Sequence, residues 1–78
     1  MRKELLATGS VADGWIHGEA NFRPECSFYL LNGKIICEYR SGLWFTFDAR
    51  PMSDAAEARW QLEHYPANAR RIRGLEIM

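Results

Sequence analysis

The segment 37-CEYRSGLWFTFDARP-51 decides the fold, because it contains a turn between two runs of aromatic and aliphatic residues. A two-residue turn at 41–42 would place Asp48 in the core. A three-residue loop at 40–42, with Gly42 in the left-handed bulge position, separates apolar from polar residues better. Its core face holds Leu43, Phe45 and Phe47. We therefore prefer the three-residue loop, which predicts that Trp44 lies on the opposite face of the sheet.

Asp-Gly at 13–14 is a strong hairpin signal, because a type I′ turn needs positive φ at both of its central residues. A turn at this dipeptide pairs Val11 with Ile16 and Gly9 with Gly18. The face formed by these pairs is apolar or glycine, whereas the opposite face is mostly polar. The sequence therefore predicts a first hairpin about 13–14.

Asn-Gly at 32–33 gives the same signal for a second hairpin. A turn there pairs Leu30 with Ile35 and Phe28 with Cys37. These four side chains form another apolar face, so this strand pair is predicted to border the core.

A helix is predicted to follow the sheet, because Pro51 cannot lie in a central strand. Asp54, with Glu57 three positions later, resembles a capping box, and Ser53 is the alternative cap. The helix is expected over about 54–64, before Pro66. Its predicted core stripe is Ala55, Ala58, Leu62 and Tyr65. The alternation of Ile72, Leu75 and Ile77 then indicates a last strand at a sheet edge.

The predicted fold class is α+β, an antiparallel β-meander of five to six strands with one α-helix packed on one face. The preferred order is five strands, the helix and a last strand. Residues 1–78 are expected to form a single domain. A chain of this length buries only about 60% of the surface that its unfolded form exposes, so each large apolar side chain matters for stability.

Composition argues against several functional classes. The charges of ten basic and ten acidic residues cancel, which argues against an overall positive electrostatic field that would attract nucleic acid. No run approaches the about 20 apolar residues of a membrane span, and the N-terminus lacks the apolar region of a signal peptide. We expect a cytoplasmic protein without membrane contact.

Catalytic and metal sites are not predicted. Cys26 and Cys37 are expected to be packed, reduced thiols, although their neighbouring strands also permit a disulfide. No closely spaced pair of metal ligands occurs. His17 and Glu19 share a polar strand face, but no nucleophile accompanies them. The sequence indicates neither an enzyme nor a cofactor.

One helix covers only one face of the predicted sheet. The uncovered face is expected to hold five large apolar side chains, Trp15, Tyr29, Leu31, Ile36 and Trp44. If clustered, they reach the size at which an exposed patch usually binds something. The alternative is that the N-terminal residues or the tail cover them. As an interface, this face suits a second copy of the chain as well as a foreign protein.

Other candidate contacts lie near the helix and the tail. Trp60 projects outside the core stripe of the helix, beside Arg59. The basic cluster of Arg70, Arg71 and Arg73, with Arg50 and Arg59, would form a stripe for nucleic acid, with Trp44 or Trp60 stacking on a base. The same charges also suit an edge strand protected against aggregation. The predicted partner-binding residues are Trp15, Tyr29, Trp44, Arg59, Trp60, Arg70, Arg71 and Arg73.

The meander ending in "FTFDARP" (45–51), the helix "SDAAEARWQLEHYP" (53–66) and the returning strand resemble the layout of small phage-encoded inhibitors of the anti-CRISPR type. The resemblance is architectural and covers nearly the whole chain. It implies a phage-encoded, non-catalytic inhibitor that acts in the host cytoplasm, where it binds a host protein or ribonucleoprotein, such as a CRISPR effector complex, and blocks it sterically. It transfers no functional residue to this chain. The alternative remains a small nucleic-acid-binding regulator using the C-terminal arginines.

Overall fold

A five-stranded antiparallel sheet, ordered β4-β3-β2-β1-β5, forms the body of the protein in the computed structural model, which describes residues 2–78. The elements are β1 (Glu4–Ile16), β2 (Glu19–Leu31), β3 (Lys34–Glu38), β4 (Trp44–Asp48), α1 (Ala55–His64), α2 (Asn68–Arg71) and β5 (Ile72–Ile77). The predicted α+β class is confirmed, as is the last strand at a sheet edge, where β5 pairs with β1. None of the helices within residues 2–78 is long and apolar enough to cross a membrane.

The turn of the first hairpin differs from the sequence-based prediction. It lies at His17 and Gly18, which have φ angles of +52° and +80°, and it places Ile16 opposite Glu19. The predicted turn residue Gly14 instead has φ +79° within β1, where one extra residue forms a bulge. A turn and a bulge both use glycine at positive φ, so the dipeptide alone could not distinguish them.

A second bulge explains why one predicted strand boundary is absent. Gly9 pairs with Cys26 and Val11 with Arg23, so β2 contains one more residue than β1 in this interval. Glu25, with φ +58°, lies in the bulge. The chain therefore continues through residue 24, a proline, as one strand of 13 residues. Four strands precede α1, rather than the five that the sequence indicated.

The second predicted hairpin is confirmed, with Leu30 opposite Ile35 and Phe28 opposite Cys37. The third is confirmed in the register of the three-residue loop. Cys37 pairs with Phe45, and the Gly42 amide donates to the Tyr39 carbonyl at 2.9 Å. Trp44 lies opposite Glu38, on the face expected for it. Leu43 is not in the core, because it belongs to the turn and is 70% exposed.

The core lies between the sheet and the segment that follows β4. The Phe28 and Phe47 rings meet edge to face at 5.1 Å between centroids, and Ala58 and Leu62 of α1 are buried with them. Tyr65, predicted for the same stripe, is 40% exposed because it follows the last helical residue. The buried sheet residues of this core are Leu6, Ala7, Val11, Cys26, Phe28, Ile35, Cys37, Phe47 and Ile72.

The predicted helix start is confirmed at Asp54. Its carboxylate accepts a hydrogen bond from the Glu57 amide at 2.9 Å, and the Glu57 carboxylate accepts one from the Ser53 amide at 2.8 Å. These two bonds satisfy amides that have no partner within the helix. We expect Asp54→Ala to lower the free energy of unfolding by about 1 kcal/mol in urea titrations. An unchanged urea midpoint would show that the cap contributes nothing to stability.

Cys26 and Cys37 are free, buried thiols on the core face of neighbouring strands. Burial raises the pKa of both thiols, and that of Cys37 rises to about 12. Because the neutral form is favoured in the folded state, stability should decline as pH rises from 9 towards 12. We expect neither thiol to be alkylated at pH 8 until denaturant is added. Rapid alkylation of the native protein would contradict this packing.

Candidate protein-interaction surface

The sheet face turned away from α1, called the outer face here, remains uncovered across its centre. One row of paired residues crosses all five strands on this face and consists of Trp44, Glu38, Ser27, Thr8 and Glu76. The side chains in the middle of the row are small and polar. Two larger groups of side chains border them, one on β3 and β4 and one on the free end of the β1–β2 hairpin.

A hollow of about 500 Å³ lies at the centre of the outer face. Small residues and the second bulge produce it. Gly9 permits close packing there, because a Cβ atom at this position would lie 3.2 Å from Cγ2 of Ile72 and 3.4 Å from the Arg73 carbonyl oxygen, so Ile72 would have to shift. The lining residues are Thr8, Gly9, Ser10, Pro24, Glu25, Cys26, Ser27, Gly74 and Glu76.

On the β3–β4 side, only Trp44 presents a large apolar surface, and it is 57% exposed. The Lys3 ammonium lies 4.5 Å from the centroid of the Tyr29 ring and donates to the Glu38 carboxylate at 3.1 Å. The neighbouring Ile36 is only 5% exposed. Part of the face predicted to be open is therefore covered by the N-terminal residues, as the alternative interpretation of the sequence held.

On the opposite side, the end of the β1–β2 hairpin extends beyond both neighbouring strands. We call residues 12–22 the arm. Trp15 pairs with Ala20, next to the pair of Ala12 and Phe22, so all four side chains lie on the outer face. Trp15 is 75% exposed, the highest value among the large apolar residues of the described chain. The arm therefore presents an indole ring with little support from the rest of the fold.

Arg73 continues the outer face next to the arm. It pairs with Ser10, and its guanidinium lies 3.9 Å from the centroid of the Phe22 ring. Stacking of this kind orients the cation while leaving its N–H donors available. Among the predicted partner-binding residues, four thus share the outer face: Trp15, Tyr29, Trp44 and Arg73.

The other predicted contact residues lie elsewhere. Trp60, on α1, is 57% exposed and its ring is 5.0 Å from that of His64. Arg59 has a structural contact, since its Nη2 donates to the Leu5 carbonyl at 3.3 Å. The helix thus offers one exposed tryptophan on the side opposite the outer face.

The C-terminal arginines do not form the stripe that the sequence suggested. Arg71 donates to the Phe47 carbonyl at 3.1 Å and stacks 3.8 Å from the centroid of that ring, whereas Arg73 turns to the outer face. Arg70 is exposed beside Tyr65. Because α2 ends and β5 begins at residue 72, the side chains of Arg71 and Arg73 point in different directions. α2 was not predicted from the sequence, because it is only four residues long.

The titratable groups of the outer face form a neutral, mixed surface. Lys3 is paired with Glu38, and Glu76 and Arg73 supply one charge of each sign. The one carboxyl whose pKa is clearly lowered, Asp48, lies at the end of β4 and owes its shift first to the hydrogen-bonded Arg50 guanidinium. Within residues 2–78, no three His, Cys, Asp or Glu side chains converge as metal ligands would.

No family model, curated protein or solved structure matches this chain. Its functional interpretation therefore rests on the geometry of its own surfaces.

Proposed function

We propose that this protein is a non-enzymatic binding protein that holds a protein partner against its outer face. The observation that supports this most directly is the pair of exposed tryptophans, Trp15 at 75% and Trp44 at 57%, on either side of the central hollow. Water contact with so much aromatic surface is unfavourable, and burial against a partner relieves it. Tryptophan is also among the residue types most enriched at binding hot spots.

The spacing of the two tryptophans fits a single partner. Trp44 belongs to the row that includes Thr8, and Trp15 lies seven positions further along β1. At ~3.3 Å per residue along the strands and ~4.8 Å for each of the three strand spacings between β4 and β1, this is a separation of about 27 Å. A typical interface covers about 800 Å² on each partner, which is roughly 30 Å across. One partner surface can therefore contact both indole rings and fill the hollow between them.

The charges on the outer face favour a protein over a bare nucleic acid. Glu38 and Glu76 lie in the same row as Trp44, and a phosphate backbone would meet both carboxylates. A protein surface of mixed charge can complement them, together with Lys3 and Arg73, at the polar rim of an interface.

The finer proposal is that the partner is a host nucleic-acid-handling complex, such as a CRISPR effector, and that binding blocks it sterically. Its support is the resemblance of the sequence, with a meander, a helix and a returning strand, to the layout of small phage-encoded inhibitors. Steric blockade requires only that the inhibitor occupies a surface of its target. The exposed tryptophans of the outer face can anchor such binding, and no acid–base chemistry is needed.

The direct test is a tagged pull-down from the native host lysate, divided into nuclease-treated and untreated halves and analysed by mass spectrometry. We expect one partner protein to be recovered in stoichiometric amount from both halves. Proteins recovered only from the untreated half would instead be attached through nucleic acid. If sedimentation of the purified chain shows a dimer that dissociates in Trp44→Ala, the outer face binds a second copy instead of a foreign partner.

A further inference from the structure

A second cavity, of about 520 Å³, lies on the surface between the end of α1 and α2. Its walls are Tyr65, Pro66, Ala67, Arg70 and Arg71. The volume falls in the range of about 300–1,000 Å³ that small-ligand sites occupy. One part of the lining is apolar or aromatic and the other part is cationic. None of the lining residues is acidic.

The two cationic residues of this cavity retain hydrogen-bonding capacity. Arg71 uses Nη1 for the Phe47 carbonyl, which fixes its guanidinium and leaves its other N–H groups available. The Arg70 side chain makes no ion pair or hydrogen bond with any other part of residues 2–78. Arg70 and Arg71 both line the cavity, and none of its walls carries a carboxylate, so the site is suited to bind an oxyanion through guanidinium donors.

Asp48 interacts electrostatically with Arg71, but its hydrogen bonds go to another arginine. Asp48 is held by Arg50 through hydrogen bonds to both carboxylate oxygens, and the Arg50 guanidinium lies 3.7 Å from the centroid of the Tyr65 ring. Tyr65 thus contacts Arg50 on its ring and shares the cavity lining with Arg70 and Arg71. The lining of the cavity therefore carries positive charge, although the whole chain has no net charge.

We propose that Arg70 and Arg71 bind the phosphate group of a nucleotide unit, whose planar base lies against Tyr65 and Pro66. Phosphate oxygens match the paired donors of guanidinium groups, and a base provides the flat apolar surface that the remaining lining can cover. The unit belongs either to a free mononucleotide or to single-stranded nucleic acid. This site is separate from the outer face and does not depend on the proposed protein partner.

The test is an NMR titration of the purified protein with three probes: inorganic phosphate, adenosine monophosphate and a short single-stranded RNA. We expect the amides of 65–71 to shift, with weaker binding of inorganic phosphate than of the nucleotide probes. Equal affinity for phosphate and the mononucleotide would overturn the proposed role of the base. Binding of the RNA without binding of adenosine monophosphate would identify single-stranded nucleic acid as the ligand. Binding of adenosine monophosphate as tight as that of the RNA would identify the free nucleotide as the ligand.

Arg70→Gln should weaken binding at least about tenfold, because it removes one donor pair and one charge. Arg70 is exposed, so the fold should tolerate the change. Arg70→Lys keeps the positive charge but lacks the paired donors of a guanidinium group. Its affinity should therefore lie between those of the unsubstituted protein and of Arg70→Gln. Arg40→Gln is the matched control, since Arg40 lies in the β3–β4 turn and pairs with Glu25 at 2.7 Å. Equal weakening by Arg40→Gln, or no shift with any probe, would overturn the proposal.

Discussion

Phe28→Ala is expected to lower the free energy of unfolding by about 3–5 kcal/mol, the usual cost of emptying a fully buried phenylalanine site. Phe28 is 0% exposed and meets Phe47 edge to face on the central strand β2. Buried residues of the sheet and of α1 form the core around this site, so little of the resulting cavity can collapse. A domain of 78 residues is expected to have a total stability of only about 4–12 kcal/mol. Urea titration of the variant should therefore show a large loss of stability or no folded baseline.

Phe22→Ala is the matched control for this prediction. Phe22 is half-buried on the arm, where Arg73 covers one side of its ring. We expect a loss of about 1 kcal/mol, because water already reaches this position. Equal losses for the two variants would mean that the core is not centred on β2 and would contradict the packing described above.

Trp44→Ala and Trp15→Ala are each expected to weaken partner binding by at least about 2 kcal/mol, roughly 30-fold in the dissociation constant. Both indole rings project from the outer face and are mostly exposed in the free protein. Their removal should thus leave thermal unfolding nearly unchanged while deleting the main apolar anchors. Titration calorimetry with the protein recovered in the pull-down measures the effect.

Trp60→Ala provides an unusually close control, because Trp60 and Trp44 are both 57% exposed. Trp60 lies on α1, on the other side of the sheet, so its substitution should change the affinity by less than about threefold. If Trp60→Ala weakens binding and both sheet variants do not, the partner contacts the helix. Unfolding of both sheet variants would show that these rings belong to the core, contrary to their observed exposure.

Much of the fold could be predicted from alternation and turn chemistry. The three-residue loop at 40–42 could be predicted because, of the two registers considered, only this one puts Phe45 and Phe47 on the core side. The Asp54 cap could be predicted for a similar reason. Asp54 and Glu57 are three positions apart, the spacing at which both carboxylates can accept hydrogen bonds from backbone amides at the start of a helix. In each case, local sequence and tertiary burial favour the same answer.

The arm could not be predicted, because positive φ at glycine serves turns and bulges equally. The prediction of a turn at 13–14 shortened the hairpin and hid the extension that carries Trp15. Ile36 was assigned to the open face because alternation shows which side of a strand a residue occupies, but not what covers it. Beside it, Lys3 lies over the ring of Tyr29, the residue paired with Ile36, and this contact between residues distant in sequence is a tertiary feature.

Hydroxyl-radical footprinting of the free protein and of its complex tests the central claim most directly, because it needs no substitution. The three tryptophans are reporters on two opposite sides of the molecule. We predict that the oxidation rates of Trp15 and Trp44 fall together in the complex, whereas that of Trp60 stays at its free value. Protection of Trp60 with unchanged rates at Trp15 and Trp44 would contradict the assignment of the outer face as the binding surface.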